Sequence, residues 1–167
     1  MRWSEFESAC PELATMVRQR FEHQQIFLLG TLRADGTPRI SAVECDFVDA
    51  DLMTGMIWRS AKALDLQRDA RMTIHSLVPD KAHESENEGD LKLYGRAIEV
   101  TDPIRKHAYE DVIEKRIDWR PSEPYHCFAV DIDHASLVRF ADGGRQVWIW
   151  RASGELTKRV IPEFGPE

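Results

Sequence analysis

Five consecutive residues, Trp58-Arg59-Ser60-Ala61-Lys62, hold the densest chemistry in the chain. An apolar run, Leu52-Met53-Thr54-Gly55-Met56-Ile57, leads into them, and a helical pattern from Ala61 to Asp69 leads out. Ser60 stands at the N-cap position, where a hydroxyl accepts the first free backbone N–H groups of a helix. Unpaired N–H donors at a helix start, flanked by Arg59 and Lys62, suit a phosphate. The same residues also describe a capped surface helix with solvated cations, so the surrounding sequence has to decide.

Other reactive side chains are scattered. His75, His126 and His134 are isolated on strand-like stretches and read as structural histidines, with a haem ligand among them as the alternative. Asp131-Ile132-Asp133 puts two acids on one strand face, read as a solvated face rather than a metal site. No G-x-S-x-G, P-loop, G-x-G-x-x-G or H-E-x-x-H motif occurs, so a hydrolase or a Rossmann enzyme has no support. No residue stands out as a general acid or base, which fits chemistry carried by a cofactor.

Composition narrows the field. A chain of 167 residues suits one domain with a sizeable core, and 43% apolar content is ordinary for a globular protein. The net charge of −7 opposes non-specific binding to nucleic acid or an anionic membrane, although local basic clusters remain able to bind small anions. Cys10, Cys45 and Cys127 are odd in number and far apart, which argues against disulfides and a structural zinc site and for a reducing cytosol. Acids near the N-terminus (Glu5, Glu7) argue against a signal peptide, and no apolar run reaches membrane-spanning length. A cytoplasmic location is expected.

The elements that must position the Arg59–Lys62 segment are mostly strands. Ser4-x-x-Glu7 reads as a capping box, and Pro11 opens a helix with Leu13, Met16, Val17 and Phe21 on one face. Ile26–Leu32 is a buried strand, Arg33–Pro38 a hairpin turn around Asp35-Gly36, and Arg39–Val48 the returning strand. On that strand Ser41, Val43, Cys45 and Phe47 share a face. A turn at Asp49-Ala50-Asp51 gives a third strand, Leu52–Ile57. Further strands are expected at Arg71–Leu77, Leu91–Val100, Cys127–Phe140, Gln146–Arg151 and Leu156–Val160. The stretch Pro79–Asp90 is a polar loop, and Asp142-Gly143-Gly144 is a turn. Asp102-Pro103 starts a helix to about Ile117, with Ile104, Ala108, Val112, Ile113 and Ile117 inward and Asp111 paired with Lys115. Eight mostly antiparallel strands with few helices predict a mainly β protein, a small barrel with flanking helices.

Phe27-Leu28-Leu29-Gly30-Thr31-Leu32, the Asp35-Gly36 turn and Pro38-Arg39-Ile40-Ser41-Ala42-Val43 resemble the start of the pyridoxamine 5′-phosphate oxidase-like, FMN-binding split-barrel family. Ser60-x-Lys62 with Leu64, and Arg68-Asp69-Ala70-Arg71 before a strand, continue the likeness, which spans roughly residues 20 to 140. The resemblance implies a split β-barrel, a homodimer and FMN held at the subunit interface, with F420 or haem in some branches. It assigns the cofactor phosphate to Ser60 and Lys62, with Arg59 beside them. It assigns the flavin-lining strand to Ser41 and Val43, the neighbouring strand end to Met56 and Trp58, and a polar contact to His75. The family's closing Arg-Leu-His-Asp-Arg type segment is missing; the chain has Gln146-Val147-Trp148-Ile149-Trp150-Arg151 instead, which tells against pyridoxamine phosphate as the substrate.

The reading is therefore an FMN-dependent oxidoreductase acting on a small molecule. An F420-dependent enzyme is one alternative, with Arg33, Arg39, Arg59, Lys62 and Arg68 as a basic groove. A flavin or haem carrier or sensor is another. Trp148 and Trp150 share a face for core or dimer packing, or for stacking on a neighbouring subunit's flavin. Their strand and the Leu13/Phe21 helix promise more apolar surface than one barrel covers, so a two-fold dimer is expected.

Overall fold

The computed structural model describes residues 1–76, 89–141 and 144–162. Two helices, α1 (Trp3–Ala9) and α2 (Pro11–His23), come first. Strands β1 (Phe27–Leu32), β2 (Pro38–Val43), β3 (Asp46–Val48) and β4 (Asp51–Ile57) follow, then helix α3 (Ala61–Arg68) and strands β5 (Arg71–Ser76) and β6 (Asp90–Glu99). Helix α4 (Pro103–Ile117) precedes β7 (Tyr125–Ala141), β8 (Gly144–Arg151) and β9 (Thr157–Pro162). The expected end of a strand at Leu77, most of the polar loop before Asp90 and the turn residues Asp142 and Gly143 lie outside the described residues.

Every strand pairing among the described residues is antiparallel. The main path runs β2-β1-β5-β6-β7-β4-β3, with β8 and β9 extending from β7. This path explains the shape. β2 and β3 sit at its opposite ends, yet only Glu44 and Cys45 separate them in sequence. The sheet must therefore curl until its ends approach, leaving a seam rather than a closed ladder: a split barrel.

The seam corrects one expectation. Arg39–Val48 is not one strand but two, so the described residues contain nine strands and not eight. Cys45 and Asp46 are both buried, and consecutive burial breaks the alternation a pleated strand requires. Asp46 can sit there because Arg116 of α4 forms an ion pair with its carboxylate, Nη2 donating to Oδ2 at 3.3 Å.

One core fills the barrel and extends under α1 and α2. Phe27, Leu29, Ile74, Leu93, Phe128 and Ile132 pack with Trp3, Phe6, Leu13, Val17 and Phe21, and with Trp148 and Trp150. The Phe6 and Trp150 rings lie 4.8 Å apart. The helix stripe and the tryptophan strand are thus covered within one chain, and the apolar surplus expected of them is absent. A second cluster joins α4 to the other face of β4 and β7 through Met53, Tyr109, Ile113, Tyr125 and Cys127.

Two helices differ from expectation in detail. α1 starts at Trp3, with Glu5 rather than Glu7 returning a carboxylate to the N-cap, the Arg2 N–H, at 2.7 Å. α4 keeps Ile113 inward, with Ala108 and Val112 packed against the same cluster, but it buries Tyr109 as well and leaves Ile104 79% exposed. The cause is Tyr109, whose ring packs over Gly55 of β4, the one position on that strand without a side chain. Asp111 pairs with Arg120 and not with Lys115.

Candidate functional site

Curling the sheet brings the end of β2, the end of β4 and the start of α3 together beside α4. Between them lies a groove of about 510 Å³, within the range of small-molecule sites. Val43, Met56, Trp58 and Lys62, four of the residues singled out in the sequence, line it.

The Trp58–Lys62 turn has an unusual backbone. Arg59 has φ 56°, in the left-handed region that non-glycine residues rarely adopt, and such strain concentrates at functional sites. Its guanidinium has no partner among the described residues. Ser60 does occupy the N-cap of α3, but its hydroxyl makes no capping bond; Oγ is buried and unpartnered. Lys62 Nζ donates to the Ala42 carbonyl at 2.6 Å, tying α3 to β2 and leaving two ammonium protons uncommitted. Burial lowers the Lys62 pKa from its ordinary value. A free guanidinium, an orphaned hydroxyl, a partly committed ammonium and the open N–H groups of α3 fit a phosphate.

Trp58 is held from behind. Its ring stacks on His126 with centroids 4.5 Å apart and planes at 12°. His126 Nδ1 lies 2.8 Å from Glu99, which also accepts from Gln67 Nε2 at 2.9 Å. Burial works against ionisation of Glu99, but the bonds from Gln67 and His126 outweigh it and hold the carboxyl below its ordinary range. This relay orients the imidazole and so the indole face.

The structure does not bring all the predicted residues together. Ser41 is half-buried on the inward face of β2, beyond the residues that line the groove. His75 points outward from β5, bonded to the Asp90 carboxylate. Arg39 and Arg68 are also committed elsewhere. Arg39 Nε donates to Asp65 at 2.6 Å and Arg68 Nη2 at 3.1 Å, with Thr31 Oγ1 at 3.0 Å as a third donor. Burial raises the Asp65 pKa, yet these three bonds leave it below the ordinary carboxylate range.

The other wall was not legible as a site. Tyr109, Ile113 and Ile117 of α4, and Trp119, Pro121, Ser122 and Pro124 before β7, complete the groove. An interior strand glycine, Gly55, was the available signal, since glycine in a strand often marks a close approach. A Cβ there would lie 2.5 Å from the Tyr109 hydroxyl.

No family model matches the sequence, and no curated protein does. Solved structures match in shape. A pyridoxamine 5′-phosphate oxidase-related, FMN-binding protein from Nostoc punctiforme PCC 73102 gives a TM-score of 0.65 at 14% identity, over 91% of this chain and 96% of that one. A haem-binding protein from Mycobacterium smegmatis gives 0.58 at 14% identity, over 87% of this chain and 56% of that one. An F420 reductase gives 0.50 at 19% identity, over 66% and 88%. The chain thus has the split-barrel fold of the pyridoxamine 5′-phosphate oxidase-like, FMN-binding proteins.

Proposed function

We propose that the chain binds FMN in the groove at the barrel seam and acts as a flavin-dependent oxidoreductase on a small molecule. The observation that carries this reading is the buried, unpartnered Ser60 hydroxyl, next in sequence to Arg59, which has no partner among the described residues, and two residues before Lys62. These groups would hold the phosphate. Val43 and Met56 would give the ring an apolar wall, and Trp58, braced by His126 and Glu99, an aromatic edge. Bound FMN supplies the hydride transfer. The protein binds, orients and keeps water from the apolar wall, so the missing acid or base in the groove is no obstacle.

FMN is preferred to F420 because Asp65 holds both Arg39 and Arg68 and cancels one of their two charges, leaving fewer uncommitted cations for a long anionic tail. Haem is disfavoured because no described histidine lines the groove. The groove rim beside the Lys62 half is apolar and exposed, with Ile57 at 81% and Trp58 at 49%. A second copy covering this rim would give a homodimer with the cofactor at its interface, in a reducing cytosol.

The experiment is anaerobic mixing of the FMN-loaded protein with NADH or NADPH, followed by a small electron acceptor. Bleaching of the oxidised flavin band and its return over many cycles is expected. Reduced F420 with the apoprotein is the parallel arm. Tight FMN binding with no turnover from any donor would replace the enzyme with a carrier or sensor.

A further inference from the structure

The half of the groove against α4 differs in character from the Lys62 half. Among the described residues only Glu44 and Lys62, both at the β2 and α3 side, bring charge to the lining. Glu44 is already paired with Arg116 at 2.5 Å. Arg120 binds Glu110 and Glu114 at 2.9 and 2.8 Å, and Lys106 binds Glu123, while Lys115 and Asp118 do not line the groove. The Tyr125 hydroxyl is spent on Glu110 at 3.0 Å. What remains is a buried floor of Ile113, an exposed indole at Trp119, and the Ser122 hydroxyl, which has no partner among the described residues.

An ion entering this half would lose hydration and gain no counter-charge. A flat apolar ring would bury area against Trp119 and Ile113 and meet one neutral hydrogen-bonding group. We infer that this half-groove binds a planar, uncharged aromatic molecule with a single neutral polar substituent, placed by Trp119 and Ser122. Its role as substrate rests on the FMN reading above, which puts the flavin in the Lys62 half.

The test is calorimetric titration of the full chain with naphthamide and with the isosteric naphthoate anion, each with and without saturating FMN. Naphthamide should bind at least about tenfold more tightly than naphthoate, because the anion stays unpaired. FMN should leave its affinity within about threefold, as expected for separate halves. Trp119→Ala should weaken naphthamide about tenfold, since the stacking face is lost. Naphthamide binding without FMN binding would defeat the FMN reading and leave this site standing. Equal or tighter naphthoate binding, displacement of naphthamide by FMN, or no naphthamide binding would overturn the inference.

Discussion

Gly55 and Tyr109 decide where the groove has its floor. The Tyr109 ring lies where any side chain on Gly55 would stand, and burial pushes its phenol pKa up. Gly55→Ala should therefore destabilise the protein by about 1–3 kcal/mol, the usual cost of overpacking. Tyr109→Phe removes the atom nearest the new methyl, so the double variant should be less destabilised than the sum of the singles. Denaturant unfolding of the four proteins measures this, and strict additivity would disprove the contact. The same pair shows a limit of sequence reading. Arg59, Ser60 and Lys62 announce themselves by type and spacing, because phosphate chemistry needs those groups close together. Tyr109 does not, because its role follows from a glycine 54 positions earlier that only the folded sheet brings beneath it.

Helix α3 is anchored by charge as much as by apolar packing. Its Asp65 binds Arg39 on β2, Thr31 on β1 and Arg68 one turn along. The folded-state pKa of Asp65 is depressed, so the unfolded chain holds the proton more tightly. The stabilisation is then fully present above the unfolded value of about 3.9 and is lost as pH falls through the lower folded value. Asp65→Asn should cost on the order of 3 kcal/mol at neutral pH, typical of breaking a buried pair, and progressively less below about pH 4. Urea unfolding across that range checks it; a gap independent of pH would contradict the assignment. Alternating patterns announced most strands in advance, since one buried face imposes a period of two. The break at Glu44-Cys45 was hidden because Cys45 and Phe47 continue the apolar alternation, while the cause, Arg116 reaching Asp46, lies 70 residues away.

Barrel closure turns scattered segments into one site and leaves an apolar rim around it. The first expectation of a dimer rested on the α2 stripe and the Trp148/Trp150 strand, both of which the core absorbs. Ile57 and Trp58 carry it instead, since they stay exposed beside the Lys62 half of the groove. Sedimentation equilibrium at micromolar concentration should give a dimer, and Ile57→Glu should shift it toward monomer, because a charge in an apolar interface goes unpaired. A wild-type monomer would remove the interface from the proposal. The central claim is that the Arg59–Lys62 turn holds the phosphate of FMN. Fluorescence titration with FMN and with riboflavin, which lacks the phosphate, tests it on the wild type, Ser60→Ala and Lys62→Ala. FMN should bind more tightly than riboflavin by about 1.5–3 kcal/mol, the size of a charge-assisted bond, and Lys62→Ala should erase most of that difference. Equal affinity for FMN and riboflavin, or an unchanged difference in both variants, would contradict the claim.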